Sequence, residues 1–566
     1  MRCEVNNYRR TVIVLILAVA AAAIYLLSIK LAYPVFQNTR LTDPLAEINS
    51  LFPLYYVALF LLAISAILTF VFKITNRGVH ILILLLFSIM LWYTRYYLAG
   101  FTWEPDSARN LGVSLHINDI LNGAVFQYSD YGAQFPLPYV LEYVIYIVSG
   151  MNTSVYFHLI PLIWIIVFAL LSYTFINSIF SSQKAFLASL LAFAGMHYII
   201  FITGAHTIGV LLLLTTISIL LRRGISWRLL TLGLILVVVL CHPISPILLA
   251  VFLGATFLAY LSRSNIKSQL VIGGMLLICF GGWAIWPELS TIESSGIIPP
   301  ISDMFPSDFP TSRLYIFGSP FIYTSIYTLN KLVYVLYGLI VVAAMITVFW
   351  YTQRKNRNWK VSLKQLGGLS RNQWFLIICI PLFLIAAVLL AENSHDLIER
   401  GLTMAILTIS GVIASVVVDF YEGVSLKIKR LTTGLVTVVF LLLVFTFPVI
   451  TYSLDAYSSF PKSEEQGLKF LNENISFADK ILVASFRQQM ILYQTEFEGM
   501  KNALYTTSVD EGDVFVLRST GYYYAAMRFD MSFADNSWTK FMTMLESSNQ
   551  LNNIYYSPTT HVFLKR

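Results

Sequence analysis

The sequence predicts a mainly α protein: a polytopic membrane helix bundle of about 13 transmembrane helices, followed by a small external α/β domain. Three observations carry this. Of the 566 residues, 57% are hydrophobic and only 12% charged, against about 25% charged in a soluble globular domain. Thirteen apolar runs, several of them short, approach the length needed to cross roughly 30 Å of hydrocarbon; they fall at about 11–30, 51–72, 79–97, 155–178, 185–203, 207–221, 229–241, 244–260, 270–286, 324–350, 374–391, 401–418 and 432–452. From Asp455 onward the composition becomes that of a soluble α/β domain, which divides the chain into 1–454 and 455–566.

The first run follows Arg9-Arg10 and lacks a clear small-residue cleavage site, so it reads as an uncleaved span. The net charge of +7 follows topology and gives no nucleic-acid signature. Segments 1–10, 73–78, 179–185, 222–228, 261–269, 351–373 and 419–430 hold 20 Lys and Arg against 3 Asp and Glu, while the opposite loops and span ends hold 7 against 14. The positive-inside rule then places the N-terminus in the cytoplasm. Thirteen crossings put the C-terminal domain outside a cell membrane. Cys3, Cys241, Cys279 and Cys379 all lie in residues 1–454, so no disulfide framework is expected in the external domain.

Three polar segments face outward on this map. Residues 100–154 contain Trp103-Glu104-Pro105-Asp106, then a surface helix expected over 107–121, then an apolar stretch 136–149. That stretch is short for a span, carries Glu142, and reads as a helix in the outer interface. Residues 287–323 are rich in Pro, Ser and Asp and form a candidate lid. Residues 392–400, Glu-Asn-Ser-His-Asp-Leu-Ile-Glu-Arg, are unusually polar. In the external domain the pattern predicts a capped helix from Ser463, strands at 481–485, 513–518 and 561–564, and a helix over 538–548.

No Asp, Glu, Lys or Arg sits in the middle of a predicted span. Proton relays and ion pathways place such groups near the midplane, so the pattern disfavours a transporter. The polar candidates gather at outer span ends and suit an enzyme acting on a lipid-linked substrate. Glu104 and Asp106 could supply a general base or share a divalent metal; spacing alone also fits two solvated loop acids. Arg400 and Lys331 are candidates for neutralising a phosphate, and equally for snorkelling at span ends. His206 and His242 sit at external turns with no metal-site spacing.

Trp103-Glu104-Pro105-Asp106-Ser107-Ala108-Arg109 resembles the acidic motif in the first external loop of GT-C membrane glycosyltransferases, which include protein O-mannosyltransferases and lipid A aminoarabinose transferases. Tyr131-Gly132-Ala133-Gln134-Phe135-Pro136-Leu137-Pro138-Tyr139 resembles their aromatic–proline entry to a juxtamembrane helix, and Glu399-Arg400-Gly401 resembles their late external arginine. Many members carry a Lys before that first proline, where Gln134 and Phe135 stand here. No Asp-x-Asp or Trp-Trp-Asp motif is present, which separates the chain from oligosaccharyltransferases, and the hairpin 11–72 precedes the usual first span as an added element.

The resemblance implies transfer of a sugar from a polyprenyl- or dolichyl-phosphate donor, with inversion, to a glycan, lipid or protein acceptor on the outer face. It implies Asp106 as catalytic base beside Glu104, with Arg109, His206, His242, Lys331, Glu399 and Arg400 as substrate-binding candidates. A divalent cation, Mg or Mn, held by Glu104 and Asp106 is a further expectation. The alternatives are a lipid-linked saccharide flippase and a non-catalytic membrane scaffold.

Overall fold

The computed structural model describes, apart from scattered single positions, residues 2–37, 50–98, 110–122, 135–196, 205–221, 225–241, 245–261, 270–281, 395–423 and 426–453, together with five short strands between 481 and 565. The helices are α1 Arg2–Gln37, α2 Pro53–Val71, α3 Arg77–Leu98, α4 Ile117–Leu121, α5 Pro136–Ser149, α6 Thr153–Asn177, α7 Ser182–Gly195, α8 Ala205–Leu220, α9 Ile225–Cys241, α10 Ser245–Leu261, α11 Leu270–Cys279, α12 His395–Gly423 and α13 Leu426–Ser453. Among the described residues six helices contain a stretch long and apolar enough to cross a membrane: Tyr8–Val35, Pro53–Val71, Arg77–Leu98, His158–Asn177, Met404–Glu422 and Thr432–Val449. The shorter apolar helices α8 to α11 stand where spans were expected. The expected span 324–350, the lid 287–323 and most of 374–391 lie outside the described residues.

The first two helices form a close hairpin, and the sequence shows why. Val14, Ala18, Ala21, Tyr25, Ser28 and Ala32 recur at alternating spacings of four and three, and all are buried. They pack on α2, in which Ala58, Ala63 and Ala66 are also buried. Small residues let two backbones approach where lipid supplies no hydrophobic drive. Ser65 Oγ then reaches across to the Val14 carbonyl at 2.9 Å. The opposite face of α1, including Ile16, Val19 and Leu26, is exposed.

One end of the bundle collects cations and their partners. Lys184 Nζ lies 2.7 Å from Asp419 Oδ1, and Lys73 Nζ lies 3.4 Å from Glu422 Oε1. Gln183 donates to the Phe70 carbonyl at 3.1 Å, Arg10 lies over the Phe72 ring, and Lys429 over Tyr421. Segments that the charge count assigned to one side of the membrane therefore touch one another. Asn76 caps α3 at this end, accepting from the Gly78 amide at 2.8 Å.

Residues 107–121 were expected as a surface helix. The described residues between Asn110 and Leu121 are helical, but Asn110, Leu111, Val113, Ser114 and Ile117 are buried. The packing partner is α5, which covers this stretch. The expected juxtamembrane helix is present as α5, started by Pro136 in its first turn and stopped at Gly150, whose φ of 60° is a left-handed cap.

Between residues 481 and 565 the strands β1 Ile481–Ala484, β2 Lys501–Asn502, β3 Val514–Arg518, β4 Leu551–Tyr556 and β5 Thr560–Lys565 form one sheet of order β2-β1-β3-β5-β4. The pairs β1–β2 and β1–β3 are parallel, and β3–β5 and β4–β5 antiparallel. Three of these strands match expectation within a few residues. The strand at Leu551–Tyr556 was not anticipated, because Asn552-Asn553 breaks any alternating pattern there. The helices expected from Ser463 and over 538–548 lie outside the described residues.

Candidate functional site

The site is built at the end of the bundle away from the cation-rich pairs. Helix α3 runs from Arg77 at the cation-rich end to Leu98 at the other. Helix α12 does the reverse: Arg400 precedes Asp419 by 19 residues, about 29 Å at 1.5 Å per residue. Arg400 therefore stands one bilayer thickness from the Lys184–Asp419 pair. The segment 392–400 was expected as a loop, but α12 begins at His395, so Glu399 and Arg400 occupy its first two turns.

Leu98 and Asn110, which bound the sequence segment carrying Glu104 and Asp106, are both buried. Asp106, Glu104, Arg109, His242 and Lys331 themselves lie outside the described residues, as do the side chains of His206, Glu399 and Arg400. His206 stands in the first turn of α8, which packs against α5.

What the described residues do show is a polar cluster that sequence reasoning passed over. Glu142 is buried on α5, with Pro138 and Tyr139 on the same face. Its Oε1 accepts the Tyr156 hydroxyl at 3.2 Å. Its Oε2 lies 3.0 Å from Ser114 Oγ, which is also 2.8 Å from the Asn110 carbonyl, so one hydroxyl proton is shared between two acceptors. Tyr139 donates to Asn110 Oδ1 at 3.4 Å. Tyr146, one turn beyond Glu142, meets Tyr156 edge-on at 5.1 Å between ring centroids. Three chain segments are thus joined through one carboxyl group, and the one holding Asn110 and Ser114 follows the acidic segment in sequence. The available signal was a lone acid in an otherwise apolar 14-residue helix.

The outer surface of α5 is different. Val140, Leu141, Val144, Ile147 and Val148 are exposed, a lipid-compatible face opposite the buried carboxyl. Among the described residues Arg95 and Glu142 are the buried Asp, Glu, Lys or Arg side chains. Arg95 lies in the last turn of α3 and Glu142 contacts the start of α6, which packs on that turn. Both belong to the same end. No group of three or more His, Cys, Asp or Glu side chains able to hold a metal occurs among the described residues.

No protein-family model and no curated protein matches the chain. Among the solved structures similar to the chain are two membrane proteins. One is the oligosaccharyltransferase of Archaeoglobus fulgidus, tethered with an acceptor peptide containing the NVT sequon: TM-score 0.46, 13% identity, 88% of this chain and 74% of that one. The other is ArnT from Cupriavidus metallidurans bound to undecaprenyl phosphate: TM-score 0.49, 10% identity, 84% of this chain and 96% of that one.

Proposed function

We propose that the chain is an integral membrane glycosyltransferase that moves a sugar from a polyprenyl- or dolichyl-phosphate donor to a glycan, lipid or protein acceptor on the outer face of the membrane. One observation carries the reading. The segment bearing Glu104 and Asp106 is bounded by two buried residues, Leu98 and Asn110, at the end of the bundle remote from the Lys73–Glu422 and Lys184–Asp419 pairs. A channel or flippase needs polar groups along the depth of its spans; here the buried charged side chains among the described residues sit at one end.

In the proposed reaction the acceptor hydroxyl gives its proton to Asp106 and attacks the anomeric carbon. The bond from that carbon to the phosphate oxygen breaks, its electron pair leaves with the lipid phosphate, and configuration inverts. Arg400 and Lys331 neutralise the departing phosphate. Arg109, His206, His242 and Glu399 contact donor or acceptor. Glu104 tunes the charge beside Asp106, or the two share a Mg or Mn ion; the proton transfer itself is assigned to Asp106 alone. The N-terminus is cytoplasmic, and the external domain 455–566 binds acceptor or covers the site.

The test is transfer from a radiolabelled polyprenyl-phosphate hexose by the purified full-length protein in lipid nanodiscs. A general base contributes about 10²- to 10⁴-fold in rate, so Asp106→Asn should lose that factor while inserting and folding normally. Transfer at the wild-type rate by Asp106→Asn would remove the proposed base.

A further inference from the structure

A buried chain of hydrogen bonds ties the N-terminal hairpin to the helix that leads into Trp103–Asp106. Tyr55 of α2 donates its hydroxyl to the Met90 carbonyl at 2.8 Å. Thr94 donates to the same carbonyl, also at 2.8 Å. Thr94 has a single hydroxyl proton and directs it at Met90. The Tyr25 hydroxyl of α1, 3.0 Å from Thr94 Oγ1, is therefore the donor of that pair. The hairpin thus reaches one carbonyl twice, directly from Tyr55 and through Thr94 from Tyr25, and Tyr25, Tyr55, Met90 and Thr94 are all buried.

Met90 is the second residue of a π-turn, Ile89–Tyr93, inside α3. Such a turn holds one residue more than the α-helix around it and is a frequent companion of functional sites. One residue corresponds to about 100° of helical rotation. The face on which Arg95 stands, and on which the chain leaves α3 at Leu98, depends on whether the extra residue is accommodated. In apolar surroundings a backbone carbonyl must find its partners within the protein. Two hydroxyls converging on Met90 supply them. From the other side Trp92, in the same turn, packs against Phe168 and Phe193 at 5.6 and 4.9 Å.

We propose that the N-terminal hairpin is a positioning device: Tyr25 and Tyr55 hold α3 in its π-turned register and so set the face from which the segment carrying Glu104 and Asp106 departs. They are positioning residues and touch no reacting atom. Only the chemistry being positioned rests on the glycosyltransferase reading; the register does not.

Tyr25→Phe, Tyr55→Phe and Thr94→Val each remove one hydroxyl with little change in volume, and Thr94→Ser restores one. The first readout is independent of catalysis: amide hydrogen exchange of the full-length protein in phosphatidylcholine nanodiscs. Loss of one buried hydrogen bond shifts a local opening equilibrium by about 2- to 10-fold. Exchange should accelerate by that factor across 89–98 and stay unchanged in α12, and Thr94→Ser should match the wild type. Unchanged exchange over 89–98 in all three hydroxyl-deleted variants overturns the proposal. The second readout is transfer from the polyprenyl-phosphate hexose. In those three variants kcat should fall several-fold with donor KM unchanged, and Thr94→Ser should keep both. Accelerated exchange with unaltered kcat overturns the positioning role. A wild-type protein that transfers no sugar overturns the glycosyltransferase reading instead, and hydrogen exchange then decides the register by itself.

Discussion

Tyr156 donates its hydroxyl to Glu142 at 3.2 Å, joining the start of α6 to the buried face of α5. Ser114, on the far side of the same carboxyl, adds the stretch that follows the acidic segment. Removing the carboxyl leaves the Tyr156 hydroxyl to be satisfied elsewhere, a penalty of about 1–3 kcal/mol, and strips Ser114 of one of its two acceptors while the Asn110 carbonyl stays. Glu142→Ala should lower the thermal midpoint in detergent more than Tyr156→Phe, which removes only one arm. Equal midpoints for Glu142→Ala and wild type would mean that the cluster contributes nothing to holding α5.

The hairpin interface gives a packing prediction. Ala21 is fully buried between α1 and α2, and overpacking a close interface costs about 1–3 kcal/mol. Ala21→Leu should unfold at a lower temperature, whereas the same change at Ala23, on the exposed face, should be nearly silent. Thermal unfolding of the two variants side by side reads the difference.

Arg400 is the Lys or Arg of the 392–400 segment and stands in the early turns of α12. Arg400→Ala should raise donor KM in the nanodisc transfer assay. Arg400→Lys should rescue only in part, because an ammonium lacks the planar bidentate fork that matches a phosphate. Identical donor kinetics in both variants would take Arg400 out of the donor site.

Topology is tested without any activity. A reporter active only in the cytoplasm, fused after Arg566, should stay silent, and the same reporter placed after Arg430 should be active. The basis is the split of 20 basic residues against 7 between the two sides. Activity of the Arg566 fusion would invert the map and place the Glu104 and Asp106 segment on the cytoplasmic side.

Much of the bundle was legible in the chain because a bilayer imposes length and polarity directly on sequence. A run such as 53–71, apolar throughout, has no alternative to a helix in lipid. Basic residues at 73, 184 and 429 announced the end that the structure then assembled with Asp419 and Glu422. Pro136 and Gly150 marked both ends of α5, since each residue type has a fixed backbone consequence.

Other features depended on which surfaces meet. Asn110, Leu111, Val113, Ser114 and Ile117 fall in a stretch that reads as surface and are buried, because α5 packs on it. The π-turn at Ile89–Tyr93 leaves no mark in hydropathy: Ile-Met-Leu-Trp-Tyr suits an α-helix equally well. Its partners come from residues 25 and 55, so only the fold could bring their hydroxyls to Thr94 and Met90. Hydrophobicity and charge are properties of single residues summed along a chain, so the sequence by itself determined the long apolar helices and the cation-rich end at which Lys73 and Lys184 meet their acids. Register and hydrogen-bond partnership are properties of pairs far apart in the chain, so the tertiary structure alone decided that Glu142 is a buried junction and that the added hairpin grips the helix leading to Glu104 and Asp106.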